Sequence, residues 1–153
     1  MIYEQWCKAK LLQEQEILMK IIKWHNMTPK LWIPEFKVTE HDADRTLKRI
    51  ETTADEDLYI GICKTENNQI IGFVWAFKQE QPKDSVMILS LYVEENYRKQ
   101  GIAVELKKKL EEWCLKEGVK QIQTTVHYTN KKMISLNERL GYEPGMLYMT
   151  KKL

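Results

Sequence analysis

Residues 91–103 read Leu91-Tyr92-Val93-Glu94-Glu95-Asn96-Tyr97-Arg98-Lys99-Gln100-Gly101-Ile102-Ala103. This stretch runs from the end of an apolar strand into the start of an amphipathic helix. The first turn of a helix has unpaired amide donors and the positive end of the helix dipole, so it attracts phosphate groups. Gly101 has no side chain to hold phosphate oxygens away from the backbone, and Arg98 and Lys99 add positive charge. The stretch therefore predicts an anion-binding turn.

The elements on either side of this turn indicate the class of fold. Val86–Val93 is nearly continuous in apolar residues, as is typical of a central strand covered on both faces. Beyond the turn, a helix that stops at Gly118 is predicted by an apolar stripe of Ala103, Leu106, Leu110, Trp113 and Cys114. Upstream, the runs Leu58–Thr65 and Gln69–Phe77 are rich in β-branched and aromatic residues, which predicts a hairpin.

The two ends of the chain complete the predicted order of elements. Helical spacing of apolar residues predicts a helix from Ile2 to about His25, and a second, short helix is predicted over Asp42–Thr53. The remaining elements are a strand at Val119–Tyr128, a helix at Asn130–Leu140 and a terminal strand region at Gly141–Leu153. This order predicts an α/β (α+β) fold with helices over a mixed sheet, in one domain of residues 1–153.

Composition excludes several classes of function. The net charge of +2 comes from 24 basic and 22 acidic side chains, and the densest basic run, Lys107–Lys109, is flanked by glutamates as on a solvated helix face. A nucleic-acid partner is therefore not expected. The three cysteines stand singly, which argues against zinc and for a reducing compartment. No apolar run resembles a signal peptide or a membrane span, so we expect a soluble, cytoplasmic protein without a membrane partner.

Three features together resemble the GNAT N-acetyltransferases. The family signature for the coenzyme A pyrophosphate is R/Q-x-x-G-x-G/A, which Arg98, Gly101 and Ala103 match. In the family the next strand ends in an asparagine that opens a helix, and that helix closes in Gly-Phe or Gly-Tyr. Here these are Asn130 and Gly141-Tyr142, so the resemblance covers residues 86–153. A short R-x-x-G-x-A string alone would be weak evidence, and the surrounding elements make the combination specific.

The resemblance implies acetyl coenzyme A as co-substrate and no metal. It also implies a sheet that splays between the third predicted strand, Val86–Val93, and the strand that begins at Val119. The pantetheine arm would pair with the backbone of Leu91, Tyr92 and Val93, and an amide near Val93 would polarise the thioester carbonyl. The pyrophosphate would contact the turn formed by Arg98, Lys99, Gln100, Gly101, Ile102 and Ala103. Asn130 would contact the cofactor as well as cap its helix. A primary amine would then attack the thioester directly, without a covalent enzyme intermediate.

The chain departs from the family pattern at two places. A tyrosine four residues before the glycine of the Gly-Phe pair is the proposed proton donor to the thiolate, and Asn137 stands there. Asn137 would still face the cofactor sulfur, and Tyr142 or Tyr148 would replace the acid, unless solvent suffices for a thiol of pKa near 8.5. The second departure is the N-terminus, where the family begins with a strand and this chain shows a helical pattern.

Several alternatives stay open on the sequence alone. His127 is a candidate base, although a structural role is the stronger interpretation. Six acidic residues are candidates for a rim that attracts a cationic amine, namely Asp42, Asp44, Glu51, Asp55, Glu56 and Asp57. The acceptor is a small molecule or a peptide or protein amine, and a homodimer is an open expectation because the family often pairs subunits. Against the enzyme stands a coenzyme A sensor or structural module that has lost turnover with its tyrosine.

Overall fold

The computed structural model describes all 153 residues. Five strands form one sheet in the order β1-β2-β3-β4-β5. The strands are β1 Ile2–Trp6, β2 Leu58–Lys64, β3 Ile70–Gln79, β4 Ser85–Val93 and β5 Gln121–Thr124. The helices are α1 Lys8–Gln13, α2 Gln15–Met27, α3 Asp42–Thr52, α4 Ile102–Lys116 and α5 Lys131–Arg139. Neighbouring strands are antiparallel except β4 and β5, which are parallel, so the mixed sheet with helices is confirmed.

Two apolar cores cover the two faces of the sheet, because side chains alternate between the faces along each strand. On one face Ile60, Phe73 and Trp75 pack against residues of α1, α2 and α3. On the other face Val74, Val86 and Ile88 pack against Leu106 and other apolar residues of α4. Central strands covered in this way explain why β3 and β4 are apolar along most of their lengths.

The prediction of one N-terminal helix from Ile2 to about His25 is wrong. Residues 2–6 form β1, which pairs antiparallel with β2, from Ile2 opposite Lys64 to Trp6 opposite Ile60. The helical pattern begins only at Lys8 and is interrupted at Glu14 between α1 and α2. Pairing with the β2 edge outweighs the local helical spacing, and β-branched and aromatic residues such as Ile2 and Tyr3 suit a strand. The chain thus has the first strand that the sequence pattern concealed.

The C-terminal predictions also need correction. The strand expected over Val119–Tyr128 is limited to β5, because its pairing with β4 ends at Thr124. The strand region expected over Gly141–Leu153 is not a strand. Pro144 has no amide donor, Gly145 has no side chain to pack, and the four-residue β5 offers a short ladder for pairing. Lys152 instead reaches Glu35, with Nζ 2.8 Å from a carboxylate oxygen.

No helix of the protein has the length and apolar character needed to cross a bilayer.

Candidate acyl-donor site

The turn between β4 and α4 presents a run of unpaired main-chain donors. The amides of residues 99–104 donate to no acceptor in the protein, and the first bond of α4 runs from the Glu105 amide to the Gly101 oxygen at 3.0 Å. We call residues Lys99–Val104 the amide turn. Six consecutive free N–H groups at the positive end of a 15-residue helix form a site for an anion with several oxygens.

Two left-handed residues shape the amide turn. Lys99 has φ +64° and Gly101 has φ +80°, and successive amides in such turns are directed into a common concave surface. A Cβ added at Gly101 would meet no protein atom within 4 Å, so the space beside this glycine is open to a ligand. The glycine therefore meets two needs, its backbone conformation and close approach of phosphate oxygens.

A cleft opens beside the second half of β4. The last β4–β5 pair joins Ile88 to Thr124, and residues 89–93 have no strand partner on that side. An extra residue in β4, Leu89, also interrupts the register with β3 at this point, since Trp75 pairs with Ser90 and Ala76 with Ile88. A β-bulge bends its strand. The predicted splay is thus present, and the main chain of Leu91, Tyr92 and Val93 lies along it.

Arg98 connects the end of β4 to the amide turn. Its Nε donates a 2.9 Å hydrogen bond to the Val93 oxygen, and its guanidinium lies 5.5 Å from the centroid of the Tyr92 ring. Tyr92 also stacks on Trp24 of α2, with ring centroids 4.8 Å apart. The arginine is therefore a brace within the protein as well as a positive charge near the turn.

Helix α5 carries the two asparagines that the sequence singled out. Asn130 caps the helix, because its Oδ1 accepts a 3.2 Å bond from the Met133 amide. Asn137 is only 5% exposed, and its Oδ1 has no hydrogen-bond partner in the protein. An unpaired buried amide oxygen is costly. The side-chain oxygen of Asn137 is thus free to accept a hydrogen bond, as expected of a residue that contacts a ligand.

Tyr142 follows α5 and packs under a lysine that sequence reasoning assigned to the solvent. The Nζ of Lys107 lies 4.3 Å from the centroid of the Tyr142 ring, and Lys107 is only 4% exposed. Burial lowers the pKa of Lys107 from 10.5 to about 8 and raises the pKa of Tyr142 to about 12. The prediction that Lys107 belongs to a solvated face is wrong. The missed signal is its place four residues after Ala103 and three before Leu110, which puts it on the face of the apolar stripe.

The two other candidates for proton transfer lie outside this cluster, His127 half-buried and Tyr148 exposed. His127 lies in the loop after β5, with its Nδ1 2.8 Å from the Thr129 hydroxyl oxygen. Tyr148 is 90% exposed in the C-terminal segment. The structure does not bring either side chain together with Asn137 and Tyr142 by any direct contact.

A separate cavity of about 550 Å³ lies between α2, the loop of residues 28–41 and the start of α3. Its walls include Phe36 and three lysines, Lys23, Lys30 and Lys37, and no carboxylate. The six acidic residues of the predicted rim line no part of it. Asp42 instead pairs with Arg45, and Asp55 accepts a bond from the Lys8 amide. The acidic side chains therefore do not form the wall of this cavity.

Comparison with known proteins identifies the family. The model of the acetyltransferase (GNAT) family matches residues 22–142, which is more than half of the chain. The chain belongs to the GNAT acetyltransferase family. The match spans the amide turn, the cleft and Asn137, and the fold described above is that of a GNAT domain. No curated protein matches the sequence.

Solved structures share this GNAT fold at low sequence identity. An aminoglycoside acetyltransferase from an uncultured soil metagenomic sample, in complex with sisomicin, has a TM-score of 0.70 at 15% identity over 99% of this chain and 95% of that one. AAC(6')-Iy bound to a coenzyme A bisubstrate analogue has a TM-score of 0.63 at 18% identity over 99% of this chain and 98% of that one. A protein from Pyrococcus furiosus described as an acetyl transferase reaches 0.72 at 19% identity, over 99% and 100%.

Proposed function

We propose that residues 1–153 form a single N-acetyltransferase domain that transfers the acetyl group of acetyl coenzyme A to a primary amine. Membership of the GNAT family supports acetyl transfer, and the amide turn beside the open half of β4 carries the proposal for this chain. The free amides suit a diphosphate, and the unpaired strand suits an extended amide-containing arm, which are two parts of coenzyme A. When bound, this co-substrate supplies an activated acetyl thioester.

The residues of the chain would divide the work of binding. Amides of Lys99, Gln100, Gly101, Ile102 and Ala103 would hold the pyrophosphate, with the charges of Arg98 and Lys99 nearby. Leu91, Tyr92 and Val93 would pair through their main chains with the pantetheine arm, as in addition of a strand to a sheet edge. Asn130, at the start of α5, and Asn137, with its unpaired Oδ1, would contact the arm from the other side of the cleft.

The amine would attack the thioester in a ternary complex. Main-chain donors that face the cleft near Val93 would stabilise the negative charge that develops on the carbonyl oxygen. The attacking amine must be neutral, since an alkyl ammonium with a pKa near 10.4 has no free electron pair. Tyr142 is the sequence-based candidate for protonating the departing sulfur, but burial raises the pKa of its phenol to about 12, so it holds its proton firmly.

The acceptor is proposed as a small-molecule amine, with a peptide or protein amine as the alternative. Structural neighbours that act on aminoglycosides favour a small molecule. The free cysteines Cys7, Cys63 and Cys114 are consistent with the reducing environment of the cytoplasm. No set of three or more His, Cys, Asp or Glu side chains is grouped as metal ligands would be.

A second candidate function is a coenzyme A sensor that binds without turnover. Asn137 favours it, because an amide cannot act as the acid that a tyrosine would supply. The two candidates are separated by incubating the purified protein with acetyl coenzyme A and a panel of polyamines, aminoglycosides, amino acids and peptides. Amine-dependent release of free thiol establishes the transferase. Tight binding without release across the panel supports the sensor.

A further inference from the structure

Lys107 is a buried cation without a counter-ion. The residue is 4% exposed and its side chain takes part in no hydrogen bond or ion pair, but its Nζ is not among the fully buried polar atoms, so the ammonium reaches solvent beside the face of the Tyr142 ring at 4.3 Å. Burying an ammonium without a partner costs free energy, and a cation–π contact returns only part of it. Nothing in the packing of α4 requires a charge here, since Leu106 and Leu110 on the same helix are buried apolar residues.

The position of Lys107 along α4 places it level with the open half of β4. Ile102 packs beside Val93, because a Cβ built on Gly72 would meet Ile102 at 3.3 Å and Val93 at 3.4 Å. Near its other end, α4 meets β3 through an ion pair of Glu117 and Lys78, the residue opposite Val86. The helix thus runs antiparallel to β4. Lys107 lies about 7 Å along the axis from Ile102, which corresponds to about two residues of β4 back from Val93.

Lys107 also points toward the side of α4 on which the cleft lies. Tyr142, which it contacts, follows α5, and α5 follows β5. Tyr142 packs against the core that contains Ile88, the last residue of β4 that pairs with β5. The amide of Tyr142 donates to the main-chain oxygen of Asn137, whose own side-chain oxygen is buried and unpaired. Lys107 and Asn137 are thus both joined to Tyr142, the lysine through the face of its ring and the asparagine through its main-chain amide.

We propose that Lys107 forms the floor of the cleft and is a catalytic residue that touches the sulfur of the acyl donor, taking the place of the absent tyrosine. This inference rests on the proposed function. When the amine attacks, the C–S bond of the thioester breaks and its electron pair goes to sulfur. The Lys107 ammonium transfers one proton to that sulfur, which leaves as a thiol. Solvent receives the proton lost by the attacking amine and returns one to Lys107.

The acidity of Lys107 suits this role. Burial lowers its pKa to about 8, close to the pKa near 8.5 of a free thiol, so proton transfer in either direction is nearly balanced. An acid with a pKa near the working pH is protonated for part of the time and gives up its proton readily. The titratable and charged groups on the elements packed around this face are Tyr3 of β1, Tyr59 and Cys63 of β2, Lys78 of β3, Tyr97 before α4, Glu105, Glu111, Glu112 and Cys114 of α4, and Tyr142. None of them forms an ion pair with Lys107.

The test measures the thiol of bound coenzyme A and not turnover. Wild type, Lys107→Met and the control Lys108→Met are loaded with coenzyme A, and the ultraviolet absorbance of the thiolate is titrated against pH. Lys108 is the adjacent, exposed residue of the same helix, so the control makes the same chemical change outside the cleft. A nearby ammonium favours the thiolate, so we expect the bound thiol in wild type and Lys108→Met to have a pKa about one unit below that in Lys107→Met.

Kinetics provide a second readout. With acetyl coenzyme A and a productive amine, Lys107→Met should lower kcat by about 10²-fold or more and leave the Kd for coenzyme A within about threefold of wild type. Lys107→Gln, a second neutral replacement, gives the same comparison if the methionine variant misfolds. A bound-thiol pKa in wild type equal to that in Lys107→Met overturns the role of Lys107 and leaves the proposed function standing. No binding of coenzyme A by wild type in calorimetry overturns both.

Discussion

The Nε of Arg98 donates a 2.9 Å hydrogen bond to the main-chain oxygen of Val93. This bond links Arg98, which directly precedes the amide turn, to the last residue of β4. It therefore holds the free amides at the end of the cleft. An arginine has five N–H donors in a fixed fork, and the Nε bond uses one of them. The terminal nitrogens stay available for an anion. The signature arginine is therefore a structural brace in addition to the charge that its sequence position suggests.

Arg98→Lys should weaken coenzyme A binding although the charge is kept. A lysine has no Nε–H donor at the required position, so the bond to Val93 is lost and the turn is less ordered. We expect the Kd from calorimetry to rise by about tenfold, the equivalent of about 1.4 kcal/mol. Arg139→Lys, at an exposed position in the last turn of α5, is the control and should bind as wild type does. Equal affinities of the two variants for coenzyme A would show that the hydrogen bond from Arg98 to Val93 does not support binding.

Gly101→Glu should abolish binding of coenzyme A without unfolding the protein. A carboxylate placed at the amide turn repels the diphosphate, and the left-handed backbone at φ +80° adds strain of about 1 kcal/mol. Gly118→Glu is a matched control, because Gly118 has φ +72°, has equally open space around it, and lies at the far end of α4. Both variants should lose similar stability in thermal unfolding, and only Gly101→Glu should lose binding in calorimetry.

Lys107→Met should stabilise the free protein at pH 7. The pKa of Lys107 is lowered from 10.5 to about 8, so the unfolded chain binds more protons than the folded one between these values. The lysine therefore destabilises the fold below pH 8, and this penalty fades as the pH rises toward 10.5. We expect a gain on the order of 2 kcal/mol at pH 7, after the loss of the contact with Tyr142 is subtracted.

The measurement is chemical denaturation of wild type and Lys107→Met at pH 7 and pH 10. The difference in unfolding free energy should be larger at pH 7. A variant that is less stable than wild type at pH 7 would contradict this prediction and show that Lys107 stabilises the fold.

Glu4→Gln should lower stability at neutral pH and have little effect near pH 2. Hydrogen bonds from Lys64 and then from Trp6 lower the pKa of Glu4 from 4.5 to about 2, with Lys64 Nζ at 2.9 Å. The carboxylate thus contributes stability that is complete above pH 4.5 and is lost as the pH falls toward 2. Because Glu4 is partly exposed, we expect a loss on the order of 1 kcal/mol.

Thermal unfolding between pH 2 and pH 7 checks this contribution, with Glu66→Gln in the exposed β2–β3 turn as the control. A constant difference between wild type and Glu4→Gln across this range would mean that the carboxylate charge is not what joins β1 to β2. A difference that closes at low pH, with no such trend for Glu66→Gln, is the expected result.

The sequence predicted the parts of the fold in which local pattern and tertiary contacts agree. The apolar stripe of α4 and the apolar run of β4 are each long enough to decide their own structure, and Gly101 and Gly118 have the left-handed backbone expected of helix boundaries. In contrast, β1 is five residues long and forms only because the edge of β2 offers donors and acceptors to pair with. Its short run was absorbed into the helical spacing that follows.

The candidate site was predictable to the same extent. The turn around Arg98 and Gly101 was predicted because a short motif and its flanking elements coincide. The resemblance to the GNAT family implied that Leu91, Tyr92 and Val93 lie along a cleft, and β4 is unpaired beside them. Lys107 was not found, because it stands among Glu105, Lys108 and Lys109 in a run that resembles a solvated surface. Its burial depends on Tyr142, which lies 35 residues away in sequence and reaches α4 only through the path of β5 and α5.

The amide turn is tested most directly by nuclear magnetic resonance of the 15N-labelled protein. Spectra are recorded with coenzyme A and with pantetheine, which has no diphosphate. If the turn binds the diphosphate, the amide signals of residues 99–104 shift on addition of coenzyme A and stay in place with pantetheine. Saturation with coenzyme A that moves other signals and leaves these six unchanged would contradict the account.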